Sequence, residues 1–355
     1  MPTDHSTLLD LLAIRLPIIQ APMAGVASPA MAAVVTASGG LGSLGVGAMS
    51  AEQARTTIRQ FRELSHGSLN VNVFVHQAAQ RDQRKEAAWL TRLGPLFAEL
   101  AATTPASLEN PYRSFLVDDD MLTMLVEERP KVVSFHFGLP HPQQIKALHD
   151  AGIVLLATAT NPQEASAIEA AGIDAIIAQG YEAGGHRGVF NPAVEDSCLG
   201  SIALTRVLTR TVDIPVITAG GIMDGAGIAA ALTLGAGAAQ LGTAFIATDE
   251  SLADASYRER LCSDAAHHTV MTRVISGRPA RSLSSSFTHW GKDMPSASIP
   301  DYPVAYDAGK ALSKAGKAVD QHGYGAHWAG QGAPLARAMS TKALMQTLEA
   351  ELAQA

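Results

Sequence analysis

The residues with most chemistry to offer stand in one glycine-rich run, Gln179-Gly180-Tyr181-Glu182-Ala183-Gly184-Gly185-His186-Arg187-Gly188. Histidine titrates near neutrality, so it can take a proton from a weakly acidic carbon. The Gly184-Gly185 pair predicts a close backbone approach to something, and His186 is the expected catalytic base. A second histidine, His136, lies in Ser134-Phe135-His136-Phe137-Gly138. It could orient substrate, share the base role, or be a satisfied structural histidine. Asn72, in Val71-Asn72-Val73-Phe74, and Gln179 carry amides. Amides both donate and accept hydrogen bonds, as a flavin ring edge or a nucleobase requires. Around Met23, Gln20-Ala21-Pro22-Met23 offers small residues and backbone to a flat ring. Ala219-Gly220-Gly221-Ile222 and Gln240-Leu241-Gly242-Thr243 place glycines in two more turns. Their N–H groups, with a following helix N-terminus, suit a phosphate.

Other chemistries find little support. The histidines show no paired metal-site spacing, and the adjacent His267-His268 would point apart, so no metal is expected. Asp118-Asp119-Asp120 has no ligand-type side chains interleaved and reads as a solvated loop or helix start. Cys198 and Cys262 are too few and too far apart for a disulfide scaffold or a cysteine-based zinc site. There is no G-x-S-x-G, since Ser43 in Gly42-Ser43-Leu44-Gly45 has the wrong spacing, and no G-x-x-x-x-G-K-[ST].

The elements that must position these groups are short apolar runs. Strands are predicted at Ile18–Pro22, Gly42–Val46, Leu69–Phe74, Val132–Phe137, Val154–Ala157, Ala175–Ala178, Pro215–Thr218 and Ala238–Leu241. They are near-continuously apolar, as parallel strands covered on both faces must be. Gly152, Gly172 and Gly235 each precede a strand and are expected to end helices in the left-handed conformation. Asn161-Pro162-Gln163-Glu164 and Asp224 are helix-start signals. Eight βα steps within about 240 residues match a (β/α)8 barrel, whose active groups follow the strands. A doubly wound sheet would need a G-x-G-x-x-G turn after the first strand, and none is there. Residues 77–128 and 250–355 break the repeat and are expected to be mostly helical additions walling the barrel's C-terminal mouth, all within one domain spanning 1–355.

Composition agrees. In 355 residues, 47% are apolar and 17% charged, enough for a sizeable core. With 33 acidic against 26 basic residues the net charge is −7, which disfavours nucleic-acid or anionic-membrane partners. The start Met1-Pro2-Thr3-Asp4-His5 has no signal-peptide pattern, and no apolar stretch nears the ~18 residues of a membrane helix, so the cytoplasm is the expected compartment.

Taken together, the motifs around Met23, Asn72, Gln179–Gly188, Gly220-Gly221 and Gly242-Thr243 resemble the nitronate monooxygenase family. The likeness runs from about residue 11 to Trp328-Ala329-Gly330-Gln331-Gly332. Ser134–Gly138, His186-Arg187-Gly188 and Tyr302-Pro303-Val304-Ala305-Tyr306 followed by Lys310 are similar to its class I members. The resemblance implies a TIM barrel holding non-covalent FMN. Gly220, Gly221, Gly242 and Thr243 would hold the phosphate. Met23, Asn72, Gln179, Gly184 and Gln240 would border the ring and ribityl chain. His186 would face the flavin's reactive edge, and His136, Tyr302, Tyr306 and Lys310 would shape the substrate pocket. The implied reaction is oxidative denitrification of alkyl nitronates such as propionate 3-nitronate, by O2, to a carbonyl compound and nitrite or related nitrogen oxides. The same glycine segment occurs in flavin-dependent NAD(P)H:quinone and enoyl-thioester reductases, which remain an alternative, as does a flavin-binding barrel without turnover.

Overall fold

The computed structural model describes residues 5–355; Met1-Pro2-Thr3-Asp4 lies outside the described residues. Eight parallel strands form the central sheet: β1 (Ile18–Gln20), β2 (Gly42–Gly45), β3 (Leu69–Phe74), β4 (Val132–His136), β5 (Val154–Ala159), β6 (Ala175–Gln179), β8 (Val216–Ala219) and β9 (Ala238–Leu241). Each pairs with its neighbours in chain order, and β9 returns to pair with β1. A parallel bridge from Ile19 to Leu41 closes the ring between β1 and β2. This is the expected (β/α)8 barrel. Nearly every strand residue is buried, because side chains face either the barrel interior or the helical ring. The two layers split the core accordingly. Leu156, Ile177, Ile217 and Ile19 cluster with Leu8 and Leu12 of the helix His5–Leu12, while Val71, Val133, Leu155 and Ile176 pack beneath the ring helices.

Local signals end the helices where the sequence predicts. Gly152, Gly172 and Gly235 have φ of 78°, 78° and 103°. Asn161 and Asp224 cap the helices Pro162–Ala170 and Gly225–Thr233 through their side-chain oxygens. Glu164 does not reach back to the Asn161 amide. Its carboxylate binds Thr160 N and Oγ1 and Phe190 N, each at 2.7 Å, and so ties the β5 loop to the β6 loop. Asp118, first of the acidic cluster, caps the helix Asp119–Glu128.

That helix corrects the expectation for 77–128. It lies between β3 and β4, buries Met121, Met124 and Leu125, and packs against Ala51–Leu64 and Pro142–Asp150 in the ring. Only the part before it, with the helix Gln83–Glu99, stands apart, packed on the helix Val304–Ala318. Likewise Thr341–Leu352, within 250–355, packs on Pro29–Ala37 and Gly225–Thr233. An amphipathic helix goes to the ring position that buries its apolar stripe, and chain distance from its strand is no obstacle. A second sheet, not expected from the sequence, joins β7 (Gly185–His186), β10 (Thr269–Thr272) and β11 (Ala280–Leu283) in antiparallel order β10-β11-β7.

Candidate active site

A cavity of about 450 Å³ opens beyond the strand ends, a size typical of ligand sites. Met23, Asn72, His136, Gln179, Gly184, His186, Gly220, Gly221, Gln240, Gly242, Thr243, Tyr302, Tyr306 and Lys310 all line it. The barrel thus gathers residues from more than 280 positions apart, from Met23 to Lys310.

His186 is held by the second sheet. It is not in a free loop: β7 pairs with β11, placing His186 opposite Ala280 and Gly185 opposite Arg281. Its Nε2 is 2.9 Å from Ser276 Oγ, and that hydroxyl donates to Arg278 O at 3.2 Å. With the Ser276 proton so committed, Nε2 carries the ring hydrogen and Nδ1 keeps the lone pair. The ring sits among Trp328, Tyr302, Phe137 and Tyr306, with centroids 5.0, 5.3, 5.6 and 5.9 Å away. Burial, with Arg278 and the neighbouring histidines, lowers its pKa to about 3, so the imidazole is neutral at physiological pH.

His136 offers no ring nitrogen to a substrate. Nε2 lies 3.1 Å from His186 O, an acceptor only, so Nε2 donates; Nδ1 then accepts from Thr158 Oγ1 at 3.0 Å. Of the roles left open by the sequence, the geometry makes His136 a satisfied histidine that positions its neighbour. Gln179 helps: Nε2 donates to the same carbonyl at 3.1 Å and Oε1 accepts from Gly188 N at 2.7 Å. Arg187, 2% exposed, clasps Asp196 through Nε and Nη2 at 2.7 and 3.1 Å and pins the loop that follows.

The glycines also differ in purpose. A Cβ on Gly184 would come within 2.5 Å of Gly330 N and 2.6 Å of Ala329 C. The close approach predicted at Gly184-Gly185 is therefore, at Gly184, to this chain's own C-terminal segment. Gly220 and Gly221 have φ of 112° and 75°, which glycine adopts freely, and a Cβ on Gly220 would crowd Ala183 N at 3.1 Å. Among the described residues, the N–H groups of Gly220, Gly221, Gly242 and Thr243 have no protein acceptor. The helix N-terminus after Gly221 contributes less than expected, since Asp224 and Glu351 already occupy Gly227 N and Gly225 N.

Two further polar atoms await partners. Gln240 Oε1 and Tyr302 Oη are buried without a hydrogen bond. Asn72 spends both amide hydrogens on Ser134 O and Oγ, each at 3.0 Å, leaving Oδ1 as an unpaired acceptor. Free backbone donors at one end and unpaired side-chain acceptors along the wall fit a phosphate-bearing cofactor with a polar ring edge.

Tyr302 precedes the helix Val304–Ala318 and does not share a face with Tyr306; the two converge from turn and helix. Lys310 lies with Nζ 4.3 Å from the Tyr112 ring centroid and 5.6 Å from that of Tyr306. Burial lowers its pKa. Burial pushes Tyr306 up to about 12 and Tyr302 well above the usual phenol range, so both hydroxyls keep their protons. Sequence reasoning missed Tyr112, Phe137, Trp328, Ser276 and Arg278. Phe137, at φ 80°, gave a faint signal in its position before Gly138, where the strand must turn.

The neutral histidines make acid stability predictable. His76 and His327 are 3% and 4% exposed, and burial brings each to a pKa of about 4. Unfolded, each titrates near 6.5. The unfolded chain therefore binds these protons first as pH falls, and stability present above pH ~6.5 is lost towards pH ~4, by up to about 1.4 kcal/mol per pH unit per histidine. Calorimetry across that window should show Tm falling, and replacing both residues by Gln should flatten the slope.

Fold and cavity together define a class, an α/β-barrel enzyme with a cofactor-sized site at the strand C-termini. Among the described residues, no cluster of His, Cys, Asp or Glu could hold a metal ion, and no helix is long and apolar enough to cross a membrane. A family model described as nitronate monooxygenase matches residues 5–351. Similar curated proteins include a nitronate monooxygenase of Paraburkholderia phytofirmans, 57% identical over 99% of this chain and 96% of its own, and one of Pseudomonas aeruginosa, 51% identical over 99% of both. Among solved structures, a nitroalkane oxidase from Streptomyces ansochromogenes is 41% identical, with TM-score 0.88 over 98% of both chains. FabK from Thermotoga maritima is more distant, 28% identical with TM-score 0.74 over 98% of this chain and 96% of its own. The chain belongs to the nitronate monooxygenase family, whose members are flavin-dependent enzymes in general.

Proposed function

We propose that the chain, acting as one barrel domain, uses FMN to oxidise small alkyl nitronates with O2 to a carbonyl compound and nitrite or related nitrogen oxides. The carrying observation is the charge of the cavity wall. A protein of net charge −7 places no Asp or Glu on this wall, and Lys310 is its one Lys or Arg side chain among the described residues. Such a wall favours an anion. Bound FMN supplies the redox chemistry. The protein's part is placement. Gly220, Gly221, Gly242 and Thr243 would hold the phosphate on their free N–H groups. Met23, Asn72, Gln179, Gly184 and Gln240 would border the ring and ribityl chain. Tyr302 and Tyr306 would donate to nitronate oxygens, and Lys310 would attract the charge, including a carboxylate on a substrate such as propionate 3-nitronate. His136 and Gln179 would hold the His186 carbonyl, leaving His186 Nδ1 to accept a proton from a neutral nitroalkane. An anionic nitronate needs no such transfer.

Oxygen uptake by FMN-loaded protein with a nitronate tests the proposal; a bound flavin with no oxygen consumed would defeat it. Fast anaerobic bleaching by NADH would favour the reductase reading instead. Replacing Lys310 with Met should raise KM for a nitronate roughly fivefold while kcat changes little, as expected for loss of one partly screened charge.

A further inference from the structure

Arg278 is a buried cation with no carboxylate in contact; Glu164 acts on it only through space. It is 3% exposed and forms no ion pair among the described residues. Its Nη2 donates to the Val189 carbonyl, its Nε is unpaired, and its Cζ lies over the Phe137 ring, 4.2 Å from the centroid. The nearby Arg187 shows the usual arrangement, equally buried but clasped by Asp196. A guanidinium taken from water with no carboxylate in contact is unfavourable, and a few hydrogen bonds together with the more distant Glu164, itself bonded to Thr160 and Phe190, offset that only in part. An anion beside it would offset the rest.

Between this charge and the cavity lie the Phe137 ring and the rings of the wall itself. Phe137 stacks on Arg278 and meets His136, Tyr302 and His186, with centroids 4.5, 5.4 and 5.6 Å away. All three line the cavity. The field reaches them: Arg278 makes His76, His136 and His186 harder to protonate and Tyr302 easier to ionise. Phenylalanine screens little, so the cavity feels a fixed positive charge that no side chain on its wall neutralises.

We infer that Arg278 is the built-in counter-charge for the substrate: an unpaired guanidinium behind Phe137 that strengthens binding of a planar mono-anion without touching it. The inference rests on the nitronate reading above and adds a residue that acts through the Phe137, Tyr302 and His186 wall. Arg278 is a positioning and electrostatic residue, not a catalytic one. Its backbone also anchors Ser276, but that duty needs no side chain and survives substitution.

The test compares FMN-loaded wild type with Arg278→Lys, Arg278→Met and, as a second uncharged variant, Arg278→Gln. Nitrate serves as the planar anionic probe and nitroethane as the neutral one, each titrated anaerobically against the flavin spectrum, nitroethane by rapid mixing so that binding is read before its proton is removed. In both uncharged variants the nitrate Kd and the nitronate KM should rise roughly tenfold, with kcat and the nitroethane Kd within about twofold of wild type. Arg278→Lys should keep nitrate binding within about threefold. Imidazole nitrogen NMR gives a readout independent of turnover: the His186 midpoint should move up in the Met and Gln variants and stay low in Lys. Equal losses for nitrate and nitroethane, or no loss for either, would overturn the inference. Failure of the wild type to oxidise any nitronate would instead sink the functional reading, while the nitrate and nitroethane comparison still judges Arg278.

Discussion

Replacing His186 with Asn should cut kcat/KM for a neutral nitroalkane roughly a hundredfold, the low end of what a positioned general base contributes. Turnover of the pre-formed nitronate should stay within about threefold, because that substrate brings no proton to remove. Asn keeps a polar group near the Nδ1 position but is too short for Ser276 Oγ, now met at 2.9 Å by His186 Nε2, and it supplies no basic nitrogen. The neutral imidazole, with its pKa lowered to about 3, is a weak base that holds its lone pair at every physiological pH. Its rate should therefore show no histidine inflection between pH 6 and 8, about where an unperturbed histidine would titrate. Oxygen uptake with each form, read before the nitroalkane ionises in solution, gives both numbers. Equal losses on both substrates would show that His186 places the ring or the substrate and moves no proton.

The second large effect is expected from Gly184→Val. Its Cβ would meet the backbone of Ala329 and Gly330, which cannot rotate away as a side chain can. To relieve the clash the C-terminal segment must lift. That breaks the hydrogen bonds from Gly330 N to Thr243 Oγ1 and from Gln331 N to Glu182 O, both at 2.9 Å. Trp328, Gly330 and Gly332 line the cavity, so the wall around the cofactor opens with them. The purified variant should be colourless or lose flavin on dilution, and urea unfolding should show a loss of roughly 3 kcal/mol or more. Gly152→Ala is the control. It has a left-handed φ of 78° but open space around its Cβ, so it should cost about 1 kcal/mol and keep the flavin. A yellow, stable Gly184→Val protein would mean that the crossing is looser than its geometry implies.

These two glycines show how legible the chain is. Gly152 works by local backbone conformation, and its neighbours in sequence announce it. Gly184 works by contact with a segment 145 or more residues away, Ala329 and Gly330, and nothing beside it names that partner. The same division runs through the site. The barrel was readable because parallel strands buried on both faces must be apolar throughout, and the strand ends then located Met23, Asn72, His136, Gln179, Gly220, Gln240 and Thr243 on one cavity. Strand limits missed by a residue or so, as where Phe137 leaves β4 with φ 80°.

What the residues determined by themselves is the barrel, its helix caps and the set of groups able to do chemistry, since these follow from short-range propensity and burial pattern. Tertiary structure alone decided how those groups are used. Antiparallel pairing with β11 aims His186, Ser276 chooses which of its nitrogens is free, and Thr158 with the His186 carbonyl consumes His136. Arg278 comes to rest unpaired behind Phe137. Each of these depends on hydrogen bonds or ring contacts between segments far apart in the chain, and no local pattern encodes which distant partner will arrive.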